Sequence, residues 1–329
     1  MVTIKDVAEK ANVSISTVSY ALNGVDKVSS KTRDRILKIA EELQYKKNGF
    51  ASDLKRKRTN TIALILDDLS GPFYSELVKG VQDVVIDHGY DLVACNSIQG
   101  QQSTAFKYLS EQRADGCIIF AHNITEQMIQ STKNSPIILL DRKIQDQMVT
   151  SILVDNYEGG FKATEYLINK GHRKIAYVSG PQSSVDNQMR YKGYKDALQK
   201  HDIEEQTKWN VSGEFTKTGG TKATKLLMAQ GELPTAIFFA NDEMAIGGMS
   251  VIKDLDLQIP EDISVIGFDD ILEAKYVQPN LTTIRQPKYE MGSLAAHLMF
   301  RRINGENIEN VYHLKTELCI RESVFKRIV

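Results

Sequence analysis

The chain has 329 residues, of which 42% are hydrophobic and 25% are charged, a composition typical of globular proteins with two or three domains. No apolar run approaches the roughly 18 residues that a membrane helix needs, and the N-terminus shows no basic region followed by an apolar one. We therefore expect a cytoplasmic protein without membrane contact. The charge is unevenly distributed, because the first 58 residues carry 13 Lys or Arg and 7 Asp or Glu, a net of +6, whereas the rest carries a net of −7.

The cysteines and histidines show no pattern of a metal or nucleophilic site. Three widely spaced cysteines, Cys95, Cys117 and Cys319, lie in apolar segments, and the six histidines form no HExxH or comparable cluster. We expect buried free thiols, no metal site, no cofactor and no enzymatic activity.

The N-terminal residues predict three short helices. Residues 4–11 have apolar side chains at helical spacing, Asn12 supplies a turn, and Ser14 caps a second helix that runs to about Leu22. A third helix follows Ser29. Together they predict a small helix-turn-helix domain, and its positive charge favours duplex DNA as the partner.

The second helix of a helix-turn-helix presents its N-terminal residues to base edges in the major groove, so short polar or contact-making side chains are needed there. Val18, Ala21 and Leu22 would turn inward to pack on the other helices. For this segment alone, an ordinary helical hairpin with capping or solvated serines is the alternative. The candidate DNA-contacting residues are Ser14, Ile15, Ser16, Thr17, Ser19 and Tyr20.

From Thr61 onwards, short apolar strands alternate with amphipathic helices. The strand at 62–66 precedes a helix at about 73–88, and the alternation restarts with a helix near Tyr157 and a strand at 174–178. Repeated strand-helix-strand units predict parallel sheets covered on both faces. Two consecutive rounds of them predict two lobes.

Polar and aromatic residues follow several of these strands, where the carboxyl ends of parallel strands form a crevice. Aromatic faces stack on the C–H surfaces of a sugar, and carboxylate, amide and guanidinium groups bind its hydroxyls. Taken singly, such residues also occur as structural ion pairs, helix faces and helix caps. The candidate effector-binding residues are Phe73, Tyr74, Asp141, Arg142, Arg190, Phe215, Asn241, Asp269 and Gln286.

The order and spacing of several motifs carry a family resemblance. Thr3-Ile-Lys-Asp-Val-Ala, followed by Val13-Ser-Ile-Ser-Thr-Val-Ser and Leu22-Asn23, resembles the N-terminal signature of the LacI/GalR family of bacterial repressors. The resemblance continues to the C-terminus and covers essentially the whole chain. It adds further candidate DNA-contacting residues, namely Thr3, Asn23, Asn48, Ala51, Leu54 and Lys55.

The resemblance implies an N-terminal all-α helix-turn-helix head and an α/β two-lobed, periplasmic-binding-protein-like core with parallel sheets. It implies that the linker becomes a hinge helix in the minor groove, where Leu54 wedges between base pairs. The expected domains are the head at 1–45, the hinge helix or linker at 46–59 and the effector-binding core at 60–329, with an N-lobe at about 60–158 and 287–317 and a C-lobe at about 159–286 and 318–329.

Four residues depart from the family pattern. Lys47 stands where proline is common, and Ser52 where arginine is common, while Asp53 brings an anion close to the minor groove. Tyr20 replaces a frequent arginine, and a phenol cannot make the bidentate guanine contact of a guanidinium. The preferred operator sequence therefore stays open.

The function implied is that of a homodimeric repressor of sugar-utilisation genes, which binds a pseudo-palindromic double-stranded operator and responds to a small sugar. Phe73, Tyr74 and Phe215 would sandwich the sugar ring by analogy with ribose-type binding proteins. A purine or nucleoside effector is an alternative, as is a catabolite regulator whose corepressor is a phosphorylated carrier protein. An α/β enzyme lacks support from any nucleotide fingerprint, and a transport protein would require a signal peptide.

Overall fold

The computed structural model describes residues 2–45, 58–132, 135–140 and 142–327. The chain divides into two compact units, residues 1–59 and residues 60–329, and each is described by itself. Five of the candidate residues lie outside the described residues, namely Asn48, Ala51, Leu54, Lys55 and Asp141.

The first unit is a bundle of three helices that pack on one another. They are α1 (Ile4–Ala11), α2 (Ile15–Leu22) and α3 (Ser30–Glu42). Their shared core consists of small and β-branched side chains, which allow short helices to approach closely. The fully buried members are Val7, Ala8, Ala11, Val18, Ala21, Ile36 and Ala40.

Local hydrogen bonds define the ends of these helices. Before α1, the Thr3 backbone N–H donates to the Asp6 carboxylate at 2.7 Å, and the Thr3 hydroxyl donates to the same oxygen at 2.8 Å. Asn12 takes a left-handed conformation with φ of 49°, which asparagine tolerates, and so turns the chain between α1 and α2. The Ser14 hydroxyl then accepts from the Thr17 N–H at 3.1 Å and caps α2.

The N-lobe of the second unit is built on a six-stranded parallel sheet with the strand order β11-β5-β4-β3-β1-β2. Its central strands are buried runs of aliphatic residues, as expected of strands covered on both faces. Its strands and helices are β1 (Thr61–Leu66), α4 (Pro72–Asp87), β2 (Asp91–Asn96), α5 (Thr104–Ser110), β3 (Gly116–Phe120), α6 (Glu126–Gln130), β4 (Ile137–Leu139), β5 (Val149–Val154), α11 (Lys288–Ile303) and β11 (Val311–Leu314).

The C-lobe has a second six-stranded sheet with the order β12-β10-β9-β8-β6-β7, in which β12 runs antiparallel to β10 and the other pairs are parallel. The predicted fold class is thereby confirmed. The elements of this lobe are α7 (Asn156–Asn169), β6 (Ile175–Ser179), α8 (Val185–Lys200), β7 (Asn210–Ser212), α9 (Lys217–Met228), β8 (Ala236–Phe239), α10 (Asp242–Asp254), β9 (Ser264–Asp269), β10 (Thr282–Arg285) and β12 (Glu317–Cys319). Short 3₁₀ turns lie at Gly100–Gln102, Thr207–Trp209 and Leu272–Lys275.

The chain passes between the two lobes three times. The first crossover joins β5 to α7, the second joins β10 to α11, and the third joins β11 to β12. Each crossover is only one or two residues long. The short connections place Asn156, Gln286 and Thr316 at the junction of the lobes.

Helices α4 and α11 approach closely because glycine lies at their contact. A Cβ built on Gly80 would come within 2.1 Å of the Tyr289 carbonyl oxygen and 2.9 Å of the Ser293 nitrogen, both of which belong to the backbone of α11. Backbone atoms cannot rotate aside as a side chain can. Any larger residue at position 80 must therefore separate the two helices.

We predict that Gly80→Ala lowers the free energy of unfolding by about 1–3 kcal/mol through overpacking, as measured by urea denaturation. Gly231→Ala is the matched control, because a Cβ at Gly231 meets nothing within 4 Å. Equal stability of the two variants would contradict the close packing of α4 on α11.

Candidate functional site

A cavity of about 530 Å³ lies between the two lobes of the second unit, at the carboxyl ends of strands from both sheets. Cavities of this size suit small molecules. Its N-lobe wall comes from the segments after β1 and β3, and its C-lobe wall from the segments after β6, β7, β8 and β9. Seven of the candidate effector-binding residues line it, namely Phe73, Tyr74, Arg190, Phe215, Asn241, Asp269 and Gln286.

Arg190 on α8 is 3% exposed, and its guanidinium has polar partners at Nε and Nη1. Its Nε donates to the Asn156 Oδ1 at 2.8 Å, and its Nη1 donates to the Ala240 carbonyl at 2.6 Å. Nη1 also lies 3.6 Å from the Asp269 carboxylate. The guanidinium stacks over the Phe268 ring at 3.8 Å, which fixes its plane.

Asp269 ends β9 and is buried at the junction of the lobes. The Gln286 amide donates to its Oδ1 at 2.7 Å, and the Lys288 ammonium donates to its backbone carbonyl at 2.5 Å. Burial raises the pKa of the Asp269 carboxyl, and the positive charges of Arg190 and Lys288 oppose that shift. Asp269 has a φ of 120°, in the region that favours glycine, so the surrounding contacts must hold this backbone in place.

Lys288 links Asp269 to the N-lobe. It is 1% exposed, and its ammonium also donates to the Asp270 carbonyl at 3.0 Å. The Glu76 carboxylate on α4 lies 3.6 Å from the same nitrogen. A buried ammonium requires such partners, so Lys288 connects the end of β9 in the C-lobe with α4 in the N-lobe.

Aromatic rings form both walls of the cavity. On the N-lobe side, Phe73 packs edge-on against Tyr74 with ring centroids 5.4 Å apart, and it lies 5.6 Å from Phe120. On the C-lobe side, the Phe215 ring lies against Gly180, where a Cβ would come within 2.3 Å of the ring. The cavity therefore offers apolar ring faces beside its polar groups.

Asn241 has structural partners as well as a place in the cavity wall. Its Oδ1 accepts from the Met244 N–H at 3.0 Å and so caps α10, while its Nδ2 donates to the Phe215 carbonyl at 2.9 Å. This amide thus holds the loop that carries Phe215.

The structure does not bring Arg142 into the described cavity wall. Its guanidinium donates to the backbone carbonyls of Ala121, at 3.3 Å, and Ile124. The strand-end position was visible in the sequence, but the direction of a long side chain was not. Arg142 is thus placed to hold the loop after β3.

Sequence reasoning missed a carboxylate-imidazole pair on the N-lobe wall. The His122 Nδ1 lies 2.5 Å from the Asp67 carboxylate, and the His122 backbone N–H donates to the same side chain at 2.9 Å. Burial opposes ionisation of Asp67, but the hydrogen bonds from His122 outweigh it and lower the pKa of this carboxyl. Asp67 is the first residue after β1 and His122 is the second after β3, so a search for polar residues at the carboxyl ends of strands could have found both.

Glu243, also missed, lies in the first turn of α10 and lines the cavity. Burial, together with the negative charges of Asp269, Glu273 and Asp68, raises its pKa from an ordinary value of 4.5 to about 7. Burial and nearby carboxylates also raise the pKa of the Tyr74 hydroxyl. Both shifts have the direction expected of groups that are partly buried near carboxylates.

In the first unit, α2 presents a polar surface opposite its buried face. Ile15 and Ser16 are exposed, Thr17, Ser19 and Tyr20 are half-buried, and Ser14 is exposed at the cap. The exposed Asn23 donates to the Ser19 carbonyl at 2.7 Å and so holds the end of the helix. The Lys27 ammonium lies 5.4 Å from the centre of the Tyr20 ring.

Both units contain segments that match known protein families. Residues 3–48 match the family described as bacterial regulatory proteins, lacI family, and residues 164–324 match the periplasmic binding protein-like domain. The chain is 36% identical to the HTH-type transcriptional repressor PurR of Vibrio vulnificus (strain CMCP6), over 99% of each chain. The chain belongs to the lacI family of bacterial regulatory proteins.

Two solved structures are similar to this chain over 98% of its length. One is the lac repressor dimer bound to operator and the anti-inducer ONPF, with a TM-score of 0.79, 29% identity and coverage of 98% of this chain and 99% of that one. The other is the complex of the transcriptional regulator CelR with cellobiose, with a TM-score of 0.74, 31% identity and coverage of 98% and 100%. The lacI family consists of DNA-binding transcriptional regulators, so the present chain is one of them.

The described residues contain neither a metal-binding cluster nor a membrane-spanning helix. Within them, no group of three or more His, Cys, Asp or Glu side chains is arranged to hold a metal ion. No helix among them is both long enough and apolar enough to span a membrane.

Glu243→Gln should change the pH dependence of stability. Between pH 4.5 and about 7, folded Glu243 holds a proton that the unfolded chain has released, so the wild-type protein loses stability as the pH rises. The glutamine variant lacks this loss, and its advantage in urea denaturation should grow across that interval and stay constant above it. Glu261→Gln, at an exposed position, is the control. An equal trend in both variants would contradict the raised pKa of Glu243.

Proposed function

We propose that this lacI-family repressor binds a pseudo-palindromic operator as a homodimer and releases or tightens that contact when a small polyhydroxylated ligand, a sugar in the first instance, occupies the cleft between the lobes. The observation that carries the proposal is the buried pair of Arg190 and Asp269 in the cavity wall. Its partner Asn156 is the first residue after the crossover that follows β5, and its partner Gln286 lies on the crossover that follows β10. A ligand bound at this pair would act directly on the junction of the lobes.

The DNA-contacting role of α2 is supported by its exposed N-terminal turn. We assign the base contacts to Ser14, Ile15, Ser16, Thr17, Ser19 and Tyr20, with Thr3 and Asn23 holding the helix ends or contacting phosphates. Tyr20 can donate or accept one hydrogen bond with its hydroxyl, whereas a guanidinium would bind a guanine through two. This operator should therefore differ from that of relatives with arginine at this position.

Residues 46–59, the predicted hinge helix or linker, complete the proposed DNA interface. Asn48, Ala51, Leu54 and Lys55 match family positions in the sequence, and we assign Leu54 the role of a minor-groove wedge with flanking cations on phosphates. These residues lie outside the described part of the chain, so the assignment rests on the sequence alone.

In the cleft we assign ring stacking to Phe73, Tyr74 and Phe215, and hydroxyl binding to Asp269, Arg190, Asn241 and Gln286. Asp141 and Arg142 were expected to join this network. Arg142 already binds two backbone carbonyls of the loop after β3. We therefore propose that it stabilises this loop and does not contact the ligand. Carboxylate and amide groups beside aromatic rings favour a sugar over a purely apolar ligand.

A purine effector is the second candidate, and its support is the 36% identity with PurR of Vibrio vulnificus. A flat purine base would use the stacking rings but would leave several carboxylates without a hydroxyl to bind. The other alternative, a catabolite regulator with a phosphorylated carrier protein, predicts operator affinity that rises with that protein and ignores free sugars.

The effector assignment predicts that Asp269→Asn weakens the best sugar ligand at least about tenfold, because a hydrogen bond to a charged group contributes roughly 1.5–3 kcal/mol. Calorimetric titration of the full chain with pentoses, hexoses, disaccharides and purine bases identifies that ligand first. Asp256→Asn is the control, because Asp256 is exposed and also has a positive φ, of 59°. Unchanged affinity in Asp269→Asn would refute the assignment.

The operator assignment predicts that Leu54→Ala reduces operator affinity at least about tenfold, since unstacking a base step requires an inserted apolar side chain. Operator sites are obtained by selection from random DNA, and affinity is measured by fluorescence anisotropy at fixed salt. Leu233→Ala, a change at an exposed leucine of the core, is the control. Sugar affinity should be the same in both variants, and unchanged operator binding would exclude the wedge.

A further inference from the structure

The charged side chains lining the cleft are strongly unbalanced. Among the described residues of its wall, one guanidinium, that of Arg190, faces six carboxylates. The only other ionisable cation there is the imidazole of His122, which is bound to Asp67. The carboxylates are those of Asp67, Asp68, Asp186, Glu214, Glu243 and Asp269.

The positive charge of Arg190 compensates negative charge only at the inner end of the cleft, beside Asp269. Its side chain is buried between Asn156, the Ala240 carbonyl and Asp269, so its charge is directed away from the outer carboxylates. Two of the outer carboxylates, those of Asp68 and Glu214, have neutral partners instead. Asp68 accepts from the Ser70 N–H at 2.9 Å, and Glu214 accepts from the Ser212 hydroxyl at 2.6 Å.

Glu243 has no hydrogen-bond or ion-pair partner among the described residues. It is half-buried on the C-lobe wall, and its Oε1 reaches across to the N-lobe, within 3.5 Å of where a Cβ on Gly71 would stand. A carboxylate held there, near other carboxylates, loses solvation without gaining a partner. A ligand that supplies a positive charge or hydrogen-bond donors would offset this cost for the ionised form of Glu243.

We propose that the cleft selects its effector by charge, and that the effector is a polyol bearing a protonated amine, of the amino-sugar class. The proposal rests on the effector role proposed above for the same cleft. The hydroxyls bind at the Arg190 and Asp269 end, and the ammonium lies between Glu243 and Asp68. Three N–H donors on one cation satisfy two carboxylates at once, which a single hydroxyl cannot do.

The same charges exclude anionic ligands. A phosphate ester in this cleft would meet more carboxylates than cationic side chains among the described residues of the wall, and like charges in a partly desolvated site repel strongly. Phosphorylated sugars should therefore bind more weakly than their parent sugars, although both present the same ring to the aromatic walls.

The test is calorimetric titration of the full chain at about pH 7 with two matched sets of probes: glucose, glucosamine and glucose 6-phosphate, and galactose, galactosamine and galactose 6-phosphate. In at least one set, the amine should bind at least about tenfold more tightly than the parent sugar, as expected of a charge-assisted hydrogen bond. The phosphate ester should bind more weakly than either. A parent sugar or a phosphate ester that binds as tightly as the amine, or no binding by either amine, overturns the proposal.

A substitution at Glu243 tests where the ammonium of the ligand binds. Glu243→Gln keeps the shape of the side chain and should lower the ratio of amine affinity to parent-sugar affinity about tenfold. Glu261→Gln removes the same charge beyond the amino end of β9, far from the cleft, and should leave the ratio unchanged. An unchanged ratio in Glu243→Gln overturns the placement of the amine.

Failure of this proposal can be told apart from failure of the proposed function. Tight binding of a neutral sugar alone, weakened by Asp269→Asn, would overturn the amine inference and support the sugar-binding cleft. Binding of a purine base alone would overturn both the amine and the sugar.

Discussion

The ion pair between Arg190 and Asp269 is the contact on which the arrangement of the core depends. Both side chains are buried, and charges are stable in such a place only when hydrogen bonds satisfy them from several sides. Asn156 and Gln286 supply these bonds, and each lies where the chain crosses between the lobes. The cavity wall and the junction of the lobes are therefore one polar network, which explains how a small ligand could change the relation of two large lobes.

Lys288 extends that network to α4. Its ammonium binds the carbonyls of Asp269 and Asp270, two residues with positive φ, and lies near the Glu76 carboxylate. The carbonyls of this unusual backbone turn need donors, and a lysine at the first position of α11 provides them from the neighbouring lobe. A change at Asp269 would thus reach α4 through a single side chain, without requiring any rearrangement of the hydrophobic cores. Effector and operator affinities are coupled when each ligand favours the same one of two states of the protein, and the Lys288 contacts join the cavity wall to α4.

Much of this architecture follows from the sequence. Apolar runs such as residues 62–66 became buried strands, and the rule that ligands bind beyond the carboxyl ends of parallel strands led to Arg190, Phe215, Asp269 and Gln286. The rule does not predict the direction in which a side chain points, because that direction depends on packing between segments distant in sequence. It could not show that Arg142 binds carbonyls of the loop after β3, or that Lys288 reaches across the lobes. The antiparallel β12 was also missed, because three residues carry too little periodicity to identify a strand.

The unequal charge of the two parts of the chain is related to the carboxylates of the cleft. The first 58 residues carry a net of +6, and a positive field attracts any DNA regardless of its sequence. The other 271 residues carry a net of −7, and six of their carboxylates converge on one cavity instead of being spread over the surface alone. Dispersed surface charge would suffice to keep the core away from phosphates. Concentrating carboxylates where solvent is partly excluded raises the pKa of Glu243, and perturbed pKa values of this kind cluster at sites that bind ligands or catalyse reactions.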